Sequence, residues 1–85
     1  MEEELTFSEM VLIYRRRKGL TQEELGKRVC VSKSTISAYE SGKSIPDNLN
    51  TYFKLAHVLG VPLKEMATYI HDSESDDIPE GFLKM

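Results

Sequence analysis

The chain has 85 residues, of which 40% are hydrophobic and 29% charged, and its net charge is −3 at neutral pH. This size allows one small domain, or one domain and a tail, and excludes a large multi-layer enzyme. The single cysteine, Cys30, excludes an intrachain disulfide scaffold, and no apolar run reaches the roughly 18 residues of a membrane helix.

The first predicted helix opens with a capping box, in which the Thr6 hydroxyl and the Glu9 carboxylate accept hydrogen bonds from free backbone amides. It should run to about Lys18 and stop at Gly19, which can adopt the left-handed conformation. Helical spacing predicts a buried face comprising Phe7, Met10, Val11 and Tyr14.

A second capping box, at residues 21–24, predicts another helix that ends near Cys30. Leu25 and Val29 lie on one face of it. Gly26 lies inside this helix, where it costs about 1 kcal/mol relative to alanine. A glycine tolerated there indicates that another backbone comes close.

The third helix follows after only three residues, of which Ser32 is the expected N-cap. It should span about Lys33 to Ser41, with Ile36 and Tyr39 facing the core. Two short helices joined by so brief a turn must cross sharply, and this predicts the helix-turn-helix geometry.

Two further helices are predicted. Asp47 is the expected N-cap of the fourth, which ends at Gly60, and its apolar stripe comprises Leu49, Tyr52, Phe53, Ala56 and Leu59. Pro62 begins the fifth, whose buried side comprises Leu63, Met66 and Ile70. Residues 71–77 contain four acids and no apolar residue, which predicts a flexible linker before an apolar tail, residues 78–85.

Charge is distributed unevenly along the chain. Residues 1–14 carry a net charge of −4, residues 15–43 carry +5, and residues 44–85 carry −4. A polyanion would therefore meet the middle of the chain and be repelled by both ends. Charge alone leaves open the alternative of a solvated mixed-charge surface.

Three stretches carry a resemblance to a known family. The first stretch is GLTQEELG (19–26), preceded by Arg15. The second is VSKSTISAYESGK (31–43), followed by Pro46. The third spans residues 55–62 and consists of LA, two intervening residues and LGVP. Over residues 7–70 the chain resembles the Cro and phage-repressor class of helix-turn-helix domain, also called the xenobiotic-response-element class. The resemblance implies an all-α, compact five-helix lambda-repressor-like DNA-binding domain in residues 1–70. Its helix-turn-helix would occupy about 21–41, and an acidic linker and apolar tail, 71–85, would follow.

The resemblance also implies individual roles on double-stranded DNA. Positions that reach base edges are matched by Lys33, Ser34, Ser37 and Ala38, although Ser37 could contact the backbone instead. Phosphate-contacting positions are matched by Gln22, Ser32, Ser41 and Lys43. Arg15 and Glu40 match a partly buried ion pair between the first and third helices. For Gln22 and Lys33 the competing interpretation is an ordinary solvated side chain.

The chain departs from the family pattern at two places. Cys30 stands where relatives often have glycine, so a left-handed conformation there would cost about 1–2 kcal/mol. Leu12 and Ile13 occupy positions that are usually polar, which makes the first helix apolar on more than one side. We hypothesise that these two residues meet either the tail or a second subunit.

The favoured function is that of a small bacterial or phage transcriptional regulator, most simply a repressor that binds a palindromic operator as a homodimer. One alternative is an antitoxin or controller subunit that binds a protein partner through residues 71–85. Another is a protein-interaction module without DNA binding. No catalytic set or phosphate loop is present in the sequence, so we expect no enzyme activity. We also expect no metal, no cofactor, no small-molecule domain, no membrane association and a cytoplasmic location.

Overall fold

The structure, a computed structural model, describes residues 5–72. No strand occurs among these residues. They form five helices, which in chain order are α1 (Phe7–Arg17), α2 (Gln22–Val29), α3 (Lys33–Ser41), α4 (Leu49–Leu59) and α5 (Leu63–Asp72). The prediction of an all-α, five-helix fold is confirmed.

Both predicted capping boxes are present. At α1 the Glu9 backbone amide donates to Thr6 Oγ1 at 3.2 Å, and the Thr6 amide donates to the Glu9 carboxylate at 2.9 Å. At α2 the corresponding distances between Thr21 and Glu24 are 3.0 and 2.8 Å. Each box satisfies two backbone amides that the helix itself leaves without partners, so these helices begin where the sequence predicts.

Two details of the second half of the domain were predicted wrongly. The N-cap of α4 is Asn48, whose side-chain oxygen accepts from the Thr51 amide at 2.9 Å, and not Asp47. Both residue types cap helices well, so only the path of the chain decides between them. Leu63, expected on the buried side of α5, is 39% exposed: it is the first residue of the helix, and its neighbours Pro62 and Lys64 are exposed as well.

The core of the described residues is apolar and draws on all five helices. Its buried members are Met10, Val11, Leu25, Val29, Ile36, Tyr39, Tyr52, Leu55, Ala56, Leu59, Val61, Met66, Ala67 and Ile70. Half-buried Phe7 packs edge-on against three tyrosines, with ring centroids 5.6 Å from Tyr39, 5.7 Å from Tyr52 and 6.0 Å from Tyr69. One aromatic side chain therefore ties α1 to α3, α4 and α5.

The turn between α2 and α3 explains two unusual residues. A Cβ atom built on Gly26 would lie 2.6 Å from the Val31 carbonyl oxygen, so the predicted close backbone approach is present. Cys30 is exposed and has φ 65° and ψ 40°, the left-handed conformation that glycine adopts without steric cost. The turn thus keeps the glycine-type geometry although its sequence carries a cysteine.

Helix α5 is slightly longer than predicted. Helix α5 continues to Asp72, two residues into the predicted linker.

Leu12 and Ile13 are half-buried. The contact hypothesised between them and the tail, and the predicted role of the tail itself, lie outside the residues that the structure describes.

Candidate nucleic-acid interface

Helix α3 presents a polar outer face. Lys33, Ser34 and Ser37 are exposed and Ala38 is half-buried, whereas Ile36 and Tyr39 on the opposite face are buried in the core. All four residues predicted to reach base edges therefore lie on the outer side of α3. Short side chains and one long cation on a firmly packed helix can enter a major groove without a steric clash.

The N-terminus of α3 is held by Ser32. Its hydroxyl accepts from the Thr35 backbone amide at 3.1 Å and lies 2.9 Å from the Thr35 hydroxyl. Ser32 remains exposed despite these bonds. It can therefore cap the helix and still face a phosphate at the helix N-terminus, where free backbone amides favour anions.

The C-terminal end of α3 carries two more of the four predicted phosphate contacts, Ser41 and Lys43. Gly42 takes the left-handed conformation at φ 82°, and the Lys43 amide donates to the Ala38 carbonyl at 2.9 Å. The Ser41 hydroxyl donates to the same carbonyl at 3.2 Å. Ser41 and Lys43 are both exposed, so Ser32 and Lys43 flank the outer face of α3 at its two ends.

An ion-pair network joins three helices beside this face. Arg15 in α1 donates to both carboxylate oxygens of Glu40 in α3, through Nε at 2.5 Å and through Nη2 at 3.1 Å. Its remaining terminal nitrogen donates to the Leu20 carbonyl at 2.8 Å. Gln22, the first residue of α2, donates from Nε2 to Glu40 Oε1 at 2.9 Å. The Arg15 and Glu40 side chains are only 12% and 7% exposed, so this pair is nearly buried.

The bond between Gln22 and Glu40 was not foreseen from the sequence. The two residues are 18 positions apart, and the resemblance pairs Glu40 with Arg15 alone. No local pattern signals such a contact, because it depends on the angle at which α2 and α3 cross. The bond leaves Gln22 half-buried, with its amide held at the N-terminus of α2.

One of the two acidic residues that follow Gln22, Glu24, belongs to the capping box of α2. The hydrogen bond from the Thr21 backbone amide lowers the pKa of Glu24 below its ordinary value of 4.5, with smaller contributions from the Thr21 hydroxyl and from Arg28 and Lys27. Glu24 therefore stays ionised at neutral pH, and its carboxylate accepts the hydrogen bond from the Thr21 amide at the start of α2.

Residues 5–72 contain no group of three or more His, Cys, Asp or Glu side chains that could hold a metal ion. None of the helices in residues 5–72 combines the length and the hydrophobicity that a membrane span requires. The protein partner predicted for residues 71–85 concerns a segment whose side chains the structure does not describe.

Several of the known proteins that are similar to this chain are transcriptional regulators. A helix-turn-helix family matches residues 12–66. An uncharacterized helix-turn-helix transcriptional regulator of Methanocaldococcus jannaschii is 42% identical over 59 residues, which cover 69% of this chain and 88% of that protein. The transcriptional repressor RstR of the cryptic phage CTXphi, from Vibrio cholerae, is 39% identical over 70 residues, which cover 82% of this chain and 60% of that protein.

A third relative lies in another archaeon. An uncharacterized helix-turn-helix transcriptional regulator of Archaeoglobus fulgidus is 38% identical over 61 residues, covering 72% of this chain and 83% of that protein. No solved structure matches the chain significantly. The sequence similarity includes the segment that contains α2, α3 and the turn between them.

Proposed function

Since the chain belongs to the Cro and phage-repressor class of helix-turn-helix transcriptional regulators, we propose that it represses transcription by binding a palindromic operator as a homodimer. The family is one of DNA-binding regulators and not of enzymes. The observation that carries the proposal is the outer face of α3, where three of the four proposed base contacts are polar and exposed while the opposite face is fixed in the core.

Lys33, Ser34, Ser37 and Ala38 are the proposed base contacts. A lysine can donate to guanine O6 and N7, a serine can pair with several bases, and an alanine can meet a thymine methyl group. One lysine and two serines read few bases, so the shape and stiffness of the operator contribute to specificity.

Phosphate contacts are proposed to fix the orientation of α3 in the groove. Gln22 lies at the start of α2, Ser32 at the start of α3, and Ser41 and Lys43 follow at its end. Contacts of this type position the protein on the duplex and do not read sequence. The affinity they supply falls as salt concentration rises, because bound counterions are released from the DNA.

The homodimer and the repressor role rest on symmetry and on similarity. One α3 helix covers too few bases for a unique site, and dimers of this motif place two recognition helices about one DNA turn, ~34 Å, apart. The similar phage protein RstR is a transcriptional repressor, and the same role is proposed for this chain.

In vitro selection of bound duplexes at two salt concentrations tests DNA binding and yields the operator. Lys33→Ala should lower affinity for the selected operator by about 1–3 kcal/mol and relax the preference at one base position. Lys64→Ala, at an exposed lysine of α5 outside the motif, is the control and should change affinity little. If Lys33→Ala weakened binding to selected and random duplexes equally, its base-reading role would be wrong.

A further inference from the structure

Glu40 stands at the meeting point of α1, α2 and α3 and binds two side chains at once. One of its oxygens, Oε1, accepts from Arg15 at 3.1 Å and from Gln22 at 2.9 Å, while Oε2 accepts from Arg15. We propose that Glu40 is a positioning residue for DNA binding, which holds the Gln22 amide in the orientation that donates to a phosphate. This proposal rests on the proposed DNA-binding function.

The carboxylate fixes which end of the Gln22 amide faces inward. An ionised carboxylate only accepts hydrogen bonds, so it attracts the Gln22 nitrogen and repels the amide oxygen. The amide nitrogen has two hydrogens, and the bond to Glu40 uses one of them. The second remains for a phosphate oxygen. An amide without this restraint could turn its own oxygen toward the phosphate, where the contact is repulsive.

Arg15 makes a carboxylate tolerable close to DNA. It contacts both Glu40 oxygens, and the side chains of the pair are only 12% and 7% exposed. The charge of Glu40 is therefore matched by a neighbouring cation before any phosphate approaches. The bond from Arg15 to the Leu20 carbonyl fixes the cation to the segment just before α2.

The position of Gln22 suits the same ligand. It is the first residue of an eight-residue helix whose N-cap is Thr21. The first backbone amides of a helix lack partners within it and attract anions, so the Gln22 side chain and the start of α2 would act on one phosphate together. A side chain already held in place loses less conformational freedom when the DNA binds.

A double-mutant cycle tests the coupling. Gln22→Ala should lower the affinity for the selected operator and for random duplexes by the same factor, about fivefold, the equivalent of one net hydrogen bond. In a Glu40→Ala background the same Gln22→Ala change should cost less than about twofold, because the restraint on the amide is already lost. Equal factors in the two backgrounds, or no effect of Gln22→Ala on the otherwise unchanged protein, would overturn the proposal.

Lys33→Ala is the matched control. Lys33 lies seven residues before Glu40 in α3, which places it about 10 Å away along the helix axis. Its effect on operator affinity should be the same with and without Glu40, because changes at separated sites add. A Lys33 effect that also shrank in the Glu40→Ala background would indicate general damage to α3 and overturn a specific role for Glu40.

Two measurements keep the test decisive if Glu40→Ala unfolds the domain. Glu40→Gln keeps the shape of the side chain but leaves a single oxygen, to which Arg15 donates. The effect of Gln22→Ala on affinity should therefore be smaller in this background as well. The side-chain amide signals of Gln22 in NMR spectra should move toward those of free glutamine in the same variant, and unchanged signals would contradict the proposal. Failure of the unmodified protein to bind any duplex would instead refute the proposed function itself.

Discussion

At the scale of single residues, Cys30 is the most unusual feature of the domain. It is the only non-glycine residue among the described ones that has a positive φ, and it is exposed. The left-handed conformation brings the Cβ atom of an ordinary residue close to the backbone, a cost that glycine avoids. Because Cys30 adopts this conformation in the turn, the conformational cost lowers the stability of the folded state.

Cys30→Gly should therefore stabilise the domain, by about 1 kcal/mol after allowance for the extra freedom of glycine in the unfolded chain. Urea unfolding followed by circular dichroism measures the difference. Lys27→Gly is the control, since glycine at this exposed helical position should destabilise the domain by about 1 kcal/mol. If both variants lost stability, the conformational cost at Cys30 would be refuted.

At the scale of one element, the start of α2 couples stability to pH. The Thr21 amide holds the pKa of Glu24 below its ordinary value, so the folded state favours the ionised carboxylate. The resulting stability is present above the unfolded pKa, about 4.5, and is lost as pH falls through the folded pKa.

Glu24→Gln should consequently lower the urea midpoint at pH 7, and the difference from the unmodified protein should shrink as the solution is acidified. Glu23→Gln is the control, because Glu23 lies in the same turn without a place in the box. It tests the helix dipole alone and should give a smaller pH dependence. A Glu24→Gln effect that stayed constant between pH 7 and pH 3 would contradict the assigned cause.

At the scale of the whole molecule, Phe7 joins the first helix to three others through edge-on aromatic contacts. A domain of this size has a small core, so the loss of one shared side chain weakens several packing interfaces together. The helix-turn-helix depends on this packing, because the inner face of α3 includes Tyr39, which touches Phe7.

Phe7→Ala should lower the free energy of unfolding by about 3 kcal/mol, through lost apolar burial and the cavity left behind. Thermal and urea unfolding measure the loss. Leu63→Ala is the control, because Leu63 is 39% exposed and its truncation should change stability far less. Similar losses for the two variants would show that Phe7 does not hold the helices together.

Features encoded within a few residues were predictable from the sequence alone. Thr6 and Thr21 each meet an acid three positions later, and this spacing is sufficient to predict both capping boxes. The short connection between α2 and α3 predicted the helix-turn-helix, and the small Gly26 predicted the close backbone approach. Resemblance to the Cro and phage-repressor class extended these local signals to a complete fold and to a proposed set of DNA contacts.

Other features were decided only by the tertiary structure. Three of them depend on where packed helices place the chain. They are the choice of Asn48 over Asp47 as cap, the exposure of Leu63, and the bond from Gln22 to Glu40. A sequence specifies which groups can cap, become buried or donate. The distance between two groups on different helices is set by how every core side chain fits, and this is why the decisive contact at the proposed interface emerged only in three dimensions.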